Sequence, residues 1–443
     1  MGFCWFIIFR FWRTMIFSPT QPFKINGKFF IPNLNKEYNG DLIYDFEKGI
    51  RIELHDLPLN FSHYYIPYIQ GRSFGKPHSY TLIDAQYDRS EHSADRVALS
   101  SISSYQVDTV LFGKHFTDNQ ELYFNSVSFS YSNLREWINR PSIFTEFSAD
   151  KGPNTLFKQL PSIQGNLNKL FDFEIEFSNN GSYQNESFEI NIKQKTFFNI
   201  ISKNNKLHLS EFLIINEIVK YFFMFMQGSY VIEESILCKN GSDSVQLLHY
   251  NPHFAKPKEF DANTRFVHTF NSICIAFESL IKKWIEKYEE MPDFFNLYFQ
   301  NVINDSLFIT DRFENLFQSV LHYYNYKFKD EITAKEDYDL FINNMKNKLD
   351  PNEEKFIERF RNLGNKRSLS VQLDTVFSQL SYLNNQPDKK KYLREFVEIR
   401  NKISHATRNN TPKFMADVSN MTHNLTALVS SLILYEINYG KHT

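Results

Sequence analysis

Arg400, Asn401 and His405 stand within six residues of one another in the stretch EFVEIRNKISHATRNN, residues 395–410. Histidine titrates near neutrality and passes a proton in either direction. Arginine keeps its charge and grips phosphate oxygens in a planar fork. Together they supply what is needed to break an RNA phosphodiester without a metal ion. One group takes the proton of the ribose 2′-hydroxyl, and the other stabilises the charge that builds on phosphorus. Asn401 lies beside Arg400 and four residues before His405.

The surrounding sequence predicts a helix, with Leu393, Phe396, Val397, Ile399 and Ile403 on its apolar side. Five residues separate Arg400 from His405, which places them about 140° apart on an ideal helix, with Asn401 about 40° from His405. The spacing predicts that neither Arg400 nor His405 is buried on the main apolar stripe. One helix would then present them to the two edges of a groove. A second copy crossing nearby would bring two arginines and two histidines into one cleft. Between 386 and 413, eight basic residues stand against three acidic ones, and between 355 and 367 five stand against one. That is the electrostatic footprint of a nucleic-acid binder, with Lys402 and Arg408 as candidate RNA-backbone contacts. A solvated basic helix face is the plainer reading of the same residues.

The rest of the chain excludes more than it offers. Its 443 residues allow two or three domains, and a net charge of −2 gives no whole-chain sign of nucleic-acid binding. Three scattered cysteines (Cys4, Cys238 and Cys274) provide neither a disulfide framework nor metal-ligand spacing, which fits a reducing cytoplasm. Cys274 is expected to pack on an apolar helix face. GRSFGKPHS, residues 71–79, is one residue short of a phosphate loop and has proline where magnesium needs a hydroxyl, so it reads as a turn between strands. His249 and His253 are four apart, but Pro252 breaks the helix that would align them. No zincin, serine-hydrolase, zinc-ribbon or dinucleotide motif occurs. No cofactor is expected. The opening MGFCWFIIFRFWRTMIF is too short and too basic for a membrane span and has its charges misplaced for a secretory signal. Residues 1–20 read either as an over-extended frame whose natural start is Met15 or as a short interfacial anchor. No membrane partner is expected elsewhere.

Two patterns of hydrophobicity divide the remainder. From about 25 to 205 the period is two. DLIYDFEKGIRIELHD predicts a hairpin with Gly49 in its turn, and YTLIDAQY, QVDTVLFG, ELYFNSVSFSY, FDFEIEFS and SFEINIKQ are further strands, with Asn179-Asn180-Gly181 a turn between the last two. A short amphipathic stretch, SNLREWINR, interrupts them. Beyond 205 the period becomes 3.6, beginning with a helix capped by Ser210 and stopped at Gly228. A second is predicted from Thr264 to Tyr288, and the last carries Phe414, Val418, Met421, Leu425, Leu428 and Leu432 on one stripe. The expected architecture is α+β and multidomain: a β-rich, sandwich- or barrel-like part over 21–255 that ends in a helix, then an all-α bundle over 256–443.

RNKISH, residues 400–405, resembles the Arg-Asn-x-x-x-His signature of HEPN domains, helical bundles many of which are metal-independent RNases. The front half is similar to the N-terminal domain of the ApeA anti-phage family. The matching stretches are GKFFIPNLNKEYNGDLIYDFEKGIRIEL, IQGRSFGKPHSYTLIDA and VLFGKHFTDNQELYFNSVSFSYSNLREWI. The resemblance implies an RNA substrate, tRNA among the candidates, and products with 2′,3′-cyclic phosphate and 5′-hydroxyl ends. It also implies an active site completed across a dimer by Arg400, Asn401 and His405. Phage defence by abortive infection follows from the same resemblance, with the front domain restraining or triggering the nuclease through a trigger left open. A HEPN fold that has lost catalysis and serves as a dimerising or RNA-binding scaffold, beside a β-rich ligand-binding module, is the alternative.

Overall fold

The computed structural model describes residues 17–58, 64–74, 78–95, 98–118, 121–148, 152–184, 189–249, 265–304, 306–328, 335–350, 353–354, 357, 366–380, 389–404 and 411–439. The chain is α+β. It divides into two compact units, Met1–Ser272 and Ile273–Thr443, the first built on β-structure and the second helical. The expected domain boundary near 255 lies outside the described residues.

Six antiparallel strands of the first unit close into a barrel: β1 (Phe23–Ile31), β2 (Lys36–Asp45), β3 (Gly49–His55), β4 (Tyr65–Ser73), β5 (Ser79–Asp95) and β6 (Ala98–Phe112). The ring runs β1-β2-β3-β6-β5-β4 and returns to β1. Period-two alternation places Phe29, Ile31, Leu42, Ile50, Ile52, Leu54, Leu82, Val107 and Val110 inside, all fully buried. Each such side chain contributes roughly 1.5–3 kcal/mol on leaving water. The β2–β3 hairpin forms as the sequence predicts. Asp45 Oδ1 accepts the N–H groups of Glu47 and Lys48 at 2.8 and 3.2 Å, and Gly49 takes the left-handed φ of 84°. GRSFGKPHS bridges β4 and β5. A Cβ on Gly71 would lie 2.6 Å from the Tyr80 ring and 2.8 Å from that of Phe29, so this glycine serves barrel packing. Phe17 belongs to the same core: its ring stacks on Phe112 at 4.1 Å, and the Gln246 amide bonds both its N–H and its carbonyl.

A second sheet grows from β6. Along residues 102–107 one edge of β6 pairs with β3, and along 109–112 the same edge pairs with β16 (Asp243–His249), while β5 follows the other edge. The sheet continues through β15 (Glu233–Asn240), β8 (Ser126–Tyr131), β13 (Glu189–Ser202), β12 (Phe171–Gln184) and β11 (Ile163–Asn166). Two-stranded pairs complete the unit: β9 (Ile143–Ser148) with β10 (Gly152–Phe157), and β7 (Tyr123–Phe124) with β14 (Leu207–His208). Asn179, Asn180 and Gly181 do not turn. They pair with Gln194, Lys193 and Ile192 inside the β12–β13 ladder, whose fourteen-residue register overrides a local turn preference.

Helix α1 (Leu134–Ile138) sits where SNLREWINR predicts it. Helix α2 (Leu209–Gln227) lies on the second sheet, with Phe212 against Phe171 at 5.2 Å and Phe223 against Tyr131 and Phe198 at 5.1 and 5.4 Å. Gly228 ends it in left-handed geometry, as expected, but the cap at the start is His208, whose Nδ1 bonds Ser210. The helix predicted from Thr264 to Tyr288 is instead two pieces, α3 (Phe270–Ile273) and α4 (Phe277–Glu290). The N–H groups of Val267 and His268 bond the carbonyls of Gln227 and Met226, satisfying the orphan end of α2 rather than a helix of their own. Val267 and Cys274 are consequently exposed, the latter against the expectation that it packs.

In the second unit α5 (Pro292–Ile303) and α6 (Ile309–Lys327) follow α4, then α7 (Lys335–Lys346), α8 (Leu369–Phe377), α9 (Lys389–Ser404) and α10 (Pro412–Glu436). Helix α6 is the hub, packing on α5, α8, α9 and α10. Val418, Leu425, Leu428 and Leu432 of the predicted final stripe are buried, with Phe414 and Met421 half-buried at its margin.

Candidate functional site

Helix α9 carries Arg400, Asn401 and Lys402 of the candidate residues. It packs through Leu393, Phe396 and Ile399, the Phe396 ring meeting Phe377 of α8 at 6.0 Å and Tyr392 at 4.8 Å. Lys389 begins the helix bonded to Asp374 and Ser378 at 2.8 and 3.0 Å, so one cation of the basic cluster holds α9 to the α8 segment. At the other end Ser404 donates to Glu314 Oε1 of α6 at 2.9 Å.

Arg400 stands between these two anchors. It lies about 40° from Phe396 and about 20° from Leu393 around the helix axis, within the packed stripe. The side chain is half-buried, and its Nε is buried without an acceptor among the described residues. A buried donor left unmet costs about 1–3 kcal/mol, more when charged. The terminal Nη1 is 3.4 Å from Oδ1 of half-buried Asn401, a long contact that leaves the guanidinium able to take a stronger acceptor. Lys402 is exposed on the far side of the helix, and Lys390, Lys391 and Arg394 are exposed as well. Thus Arg400 and Asn401 are brought together and Lys402 is turned away. His405 and Arg408 lie outside the described residues, as do Lys355, Arg359 and Arg361 of the second basic segment, whose Lys366 and Arg367 are exposed. Among the described residues no cluster of three or more His, Cys, Asp or Glu is arranged to hold a metal.

Sequence reasoning missed a polar centre in the first unit. Lys220 Nζ bonds Glu233 Oε1 at 3.0 Å, Asn216 Nδ2 bonds the same oxygen at 2.9 Å, and Tyr131 donates to Asn216 Oδ1. Burial alone would raise the Glu233 pKa, yet the Lys220 ammonium and the Asn216 amide hold it below the usual carboxylate value. The group borders a cavity of about 340 Å³ whose apolar wall includes Phe17, Ile232 and Leu247. Its signal was available in the sequence: Asn216 and Lys220 are four apart on the inward face of an otherwise apolar helix.

No helix among the described residues is long and apolar enough to cross a membrane. Comparison with known proteins adds one match, to the family described as ApeA N-terminal domain 1, over residues 24–284. No curated protein and no solved structure gives a match. The matched segment takes in the whole barrel, the second sheet and α2, and it spans more than half of the sequence. The chain belongs to the ApeA family.

Proposed function

We propose that this protein is a metal-independent endoribonuclease of the HEPN type acting in anti-phage defence, with its ApeA-type front part sensing or regulating the nuclease. Membership of the ApeA family supports the defence role. The observation that carries the nuclease reading is Arg400 itself: a guanidinium half-buried near the end of a bundle helix, beside Asn401, with an inner donor that meets no acceptor among the described residues. A phosphate oxygen satisfies that donor, and an arginine fork accepts two oxygens at once.

In this reading His405 removes the proton from a ribose 2′-hydroxyl. The oxygen attacks the adjacent phosphorus, the bond from phosphorus to the 5′-oxygen breaks, and a second imidazole from the partner copy protonates the departing 5′-oxygen, leaving a 5′-hydroxyl. Arg400 binds the non-bridging oxygens as their charge grows. Asn401 orients His405 or the substrate, and Lys402 and Arg408 hold the RNA backbone. The substrate is RNA, tRNA included, and the working form is a homodimer that operates in the cytoplasm.

Purified full-length protein incubated with RNA in excess EDTA is expected to leave 2′,3′-cyclic phosphate ends. Cleavage that requires added magnesium would overturn the metal-independent mechanism.

A further inference from the structure

We propose that a cleft beside α1, in the first unit, binds a nucleoside phosphate. The cleft measures about 530 Å³ and combines cations, hydrogen-bonding side chains and an aromatic ring: Arg135, Arg140, Lys193, Asn139, Asn271 and Phe266. The cations face one lining carboxylate, Glu136, which Arg135 Nε already bonds at 2.8 Å. Arg140 and Lys193 therefore supply the surplus positive charge, and no carboxylate pairs with either among the described residues.

Arg140 is placed rather than merely present. Its carbonyl accepts from Gln194 Nε2 at 2.9 Å, and the same buried amide accepts from the Ser142 N–H and hydroxyl at 2.8 and 2.9 Å. Its guanidinium lies over the Phe270 ring, 5.6 Å from the centroid. Phe270 is buried against Trp137 at 5.3 Å, and the Trp137 indole donates to the His268 carbonyl at 2.6 Å. Stacking of this kind holds a planar cation in place while leaving its N–H fork for an anion. Lys193, exposed on β13, adds an ammonium to the same cleft.

An arginine fork with a nearby lysine selects a phosphate group. The half-buried Phe266 and the amides of Asn139 and Asn271 select what the phosphate carries, a planar base and a hydroxylated sugar. The volume falls within the range of small-ligand sites. A free nucleotide and the phosphorylated end of an RNA strand share this chemistry. The cleft requires nothing of Arg400 or His405, so it stands apart from the nuclease reading.

Calorimetric titration of the full chain with AMP, ATP, inorganic phosphate and a 2′-O-methyl RNA tetramer bearing a 5′-phosphate tests the assignment. Saturable binding of a nucleotide or the tetramer is expected to weaken roughly tenfold or more in Arg140→Ala and in Lys193→Ala. Lys28→Ala, on the barrel wall, is expected to leave it unchanged. Tighter binding of the tetramer than of AMP identifies a strand end, and the reverse identifies a free nucleotide. Lys193 is exposed, so its variant keeps the test valid should Arg140→Ala fail to fold. Absence of saturable binding, inorganic phosphate binding as tightly as the nucleotides, or equal weakening by Lys28→Ala would overturn the proposal.

Discussion

Ser404 donates to Glu314 at 2.9 Å and fastens the last turn of α9 to α6, four residues after Arg400. The bond is exposed, so its worth to overall stability is small, about 0.5–1.5 kcal/mol. Its worth to position is greater, because it fixes the turn that leads directly to His405. Replacement of Ser404 by alanine is expected to lower RNA cleavage severalfold while shifting the melting temperature by only a few degrees. Single-turnover cleavage and a thermal melt on the same preparation separate the two effects.

Arg400→Lys keeps the charge and removes the fork. If the guanidinium stabilises the transition state, cleavage should fall about 100-fold or more, with RNA affinity nearly retained. Lys402→Ala, on the exposed side of the helix, should weaken binding and flatten its salt dependence with far less effect on the cleavage step. Measuring affinity and rate separately distinguishes them, and equal losses of rate in both variants would count against the assigned roles.

Those predictions rest on a helix whose existence was plain from its spacing, whereas the half-burial of Arg400 was not. Leu393, Phe396 and Ile399 define the packed stripe, and the arginine that directly follows Ile399 reads as surface until the neighbouring helices are in place. The β2–β3 hairpin was legible because alternation, an aspartate and a glycine all agree locally. Barrel closure was not, since pairing of β1 with β4 and of β3 with β6, and the change of partner along β6, are matters of long-range register. Asn179-Asn180-Gly181 misled for the same reason: a turn preference of three residues lost to a ladder of fourteen. The stretch before Phe270 misled because the N–H groups of Val267 and His268 serve the end of α2, a contact no local pattern announces. Hydrophobic period reveals elements; where an unmet polar group finds its partner is decided by tertiary structure.

The Lys220–Glu233 pair makes a pH-dependent contribution to the first unit. Glu233 has a lowered pKa in the folded protein, so its contribution is complete above the unfolded value of 4.5 and is lost as pH falls through the lower folded value. Stability at pH 7 and at pH 5.5 should therefore carry the same contribution from this pair, with the loss confined to more acid solution. Lys220→Met leaves a buried carboxylate uncompensated and is expected to cost about 3–5 kcal/mol, and adding Glu233→Gln should restore part of that. Denaturant unfolding of the single and double variants at pH 7 provides the comparison.

A second buried carboxylate closes the helical unit. Glu436, near the end of α10, accepts from Tyr323 at 2.8 Å and pairs with Lys327 at 2.8 Å, both on α6. Its side chain is 4% exposed, so the pair is nearly shielded from solvent on that side. Glu436→Ala should destabilise the unit by about 3 kcal/mol and loosen α10 from α6. Hydrogen exchange along both helices would report this as lost protection at residues 323–327 and 432–436, and unchanged protection would refute it.

The most direct test of the nuclease maps the 3′ ends of cellular RNA after inducing the wild type and His405→Ala side by side. New 2′,3′-cyclic phosphate ends should accumulate with the wild type and be absent with the variant, at equal protein levels. The same ends from both proteins, or growth arrest by the wild type without any new ends, would contradict the assignment of this helix to RNA cleavage.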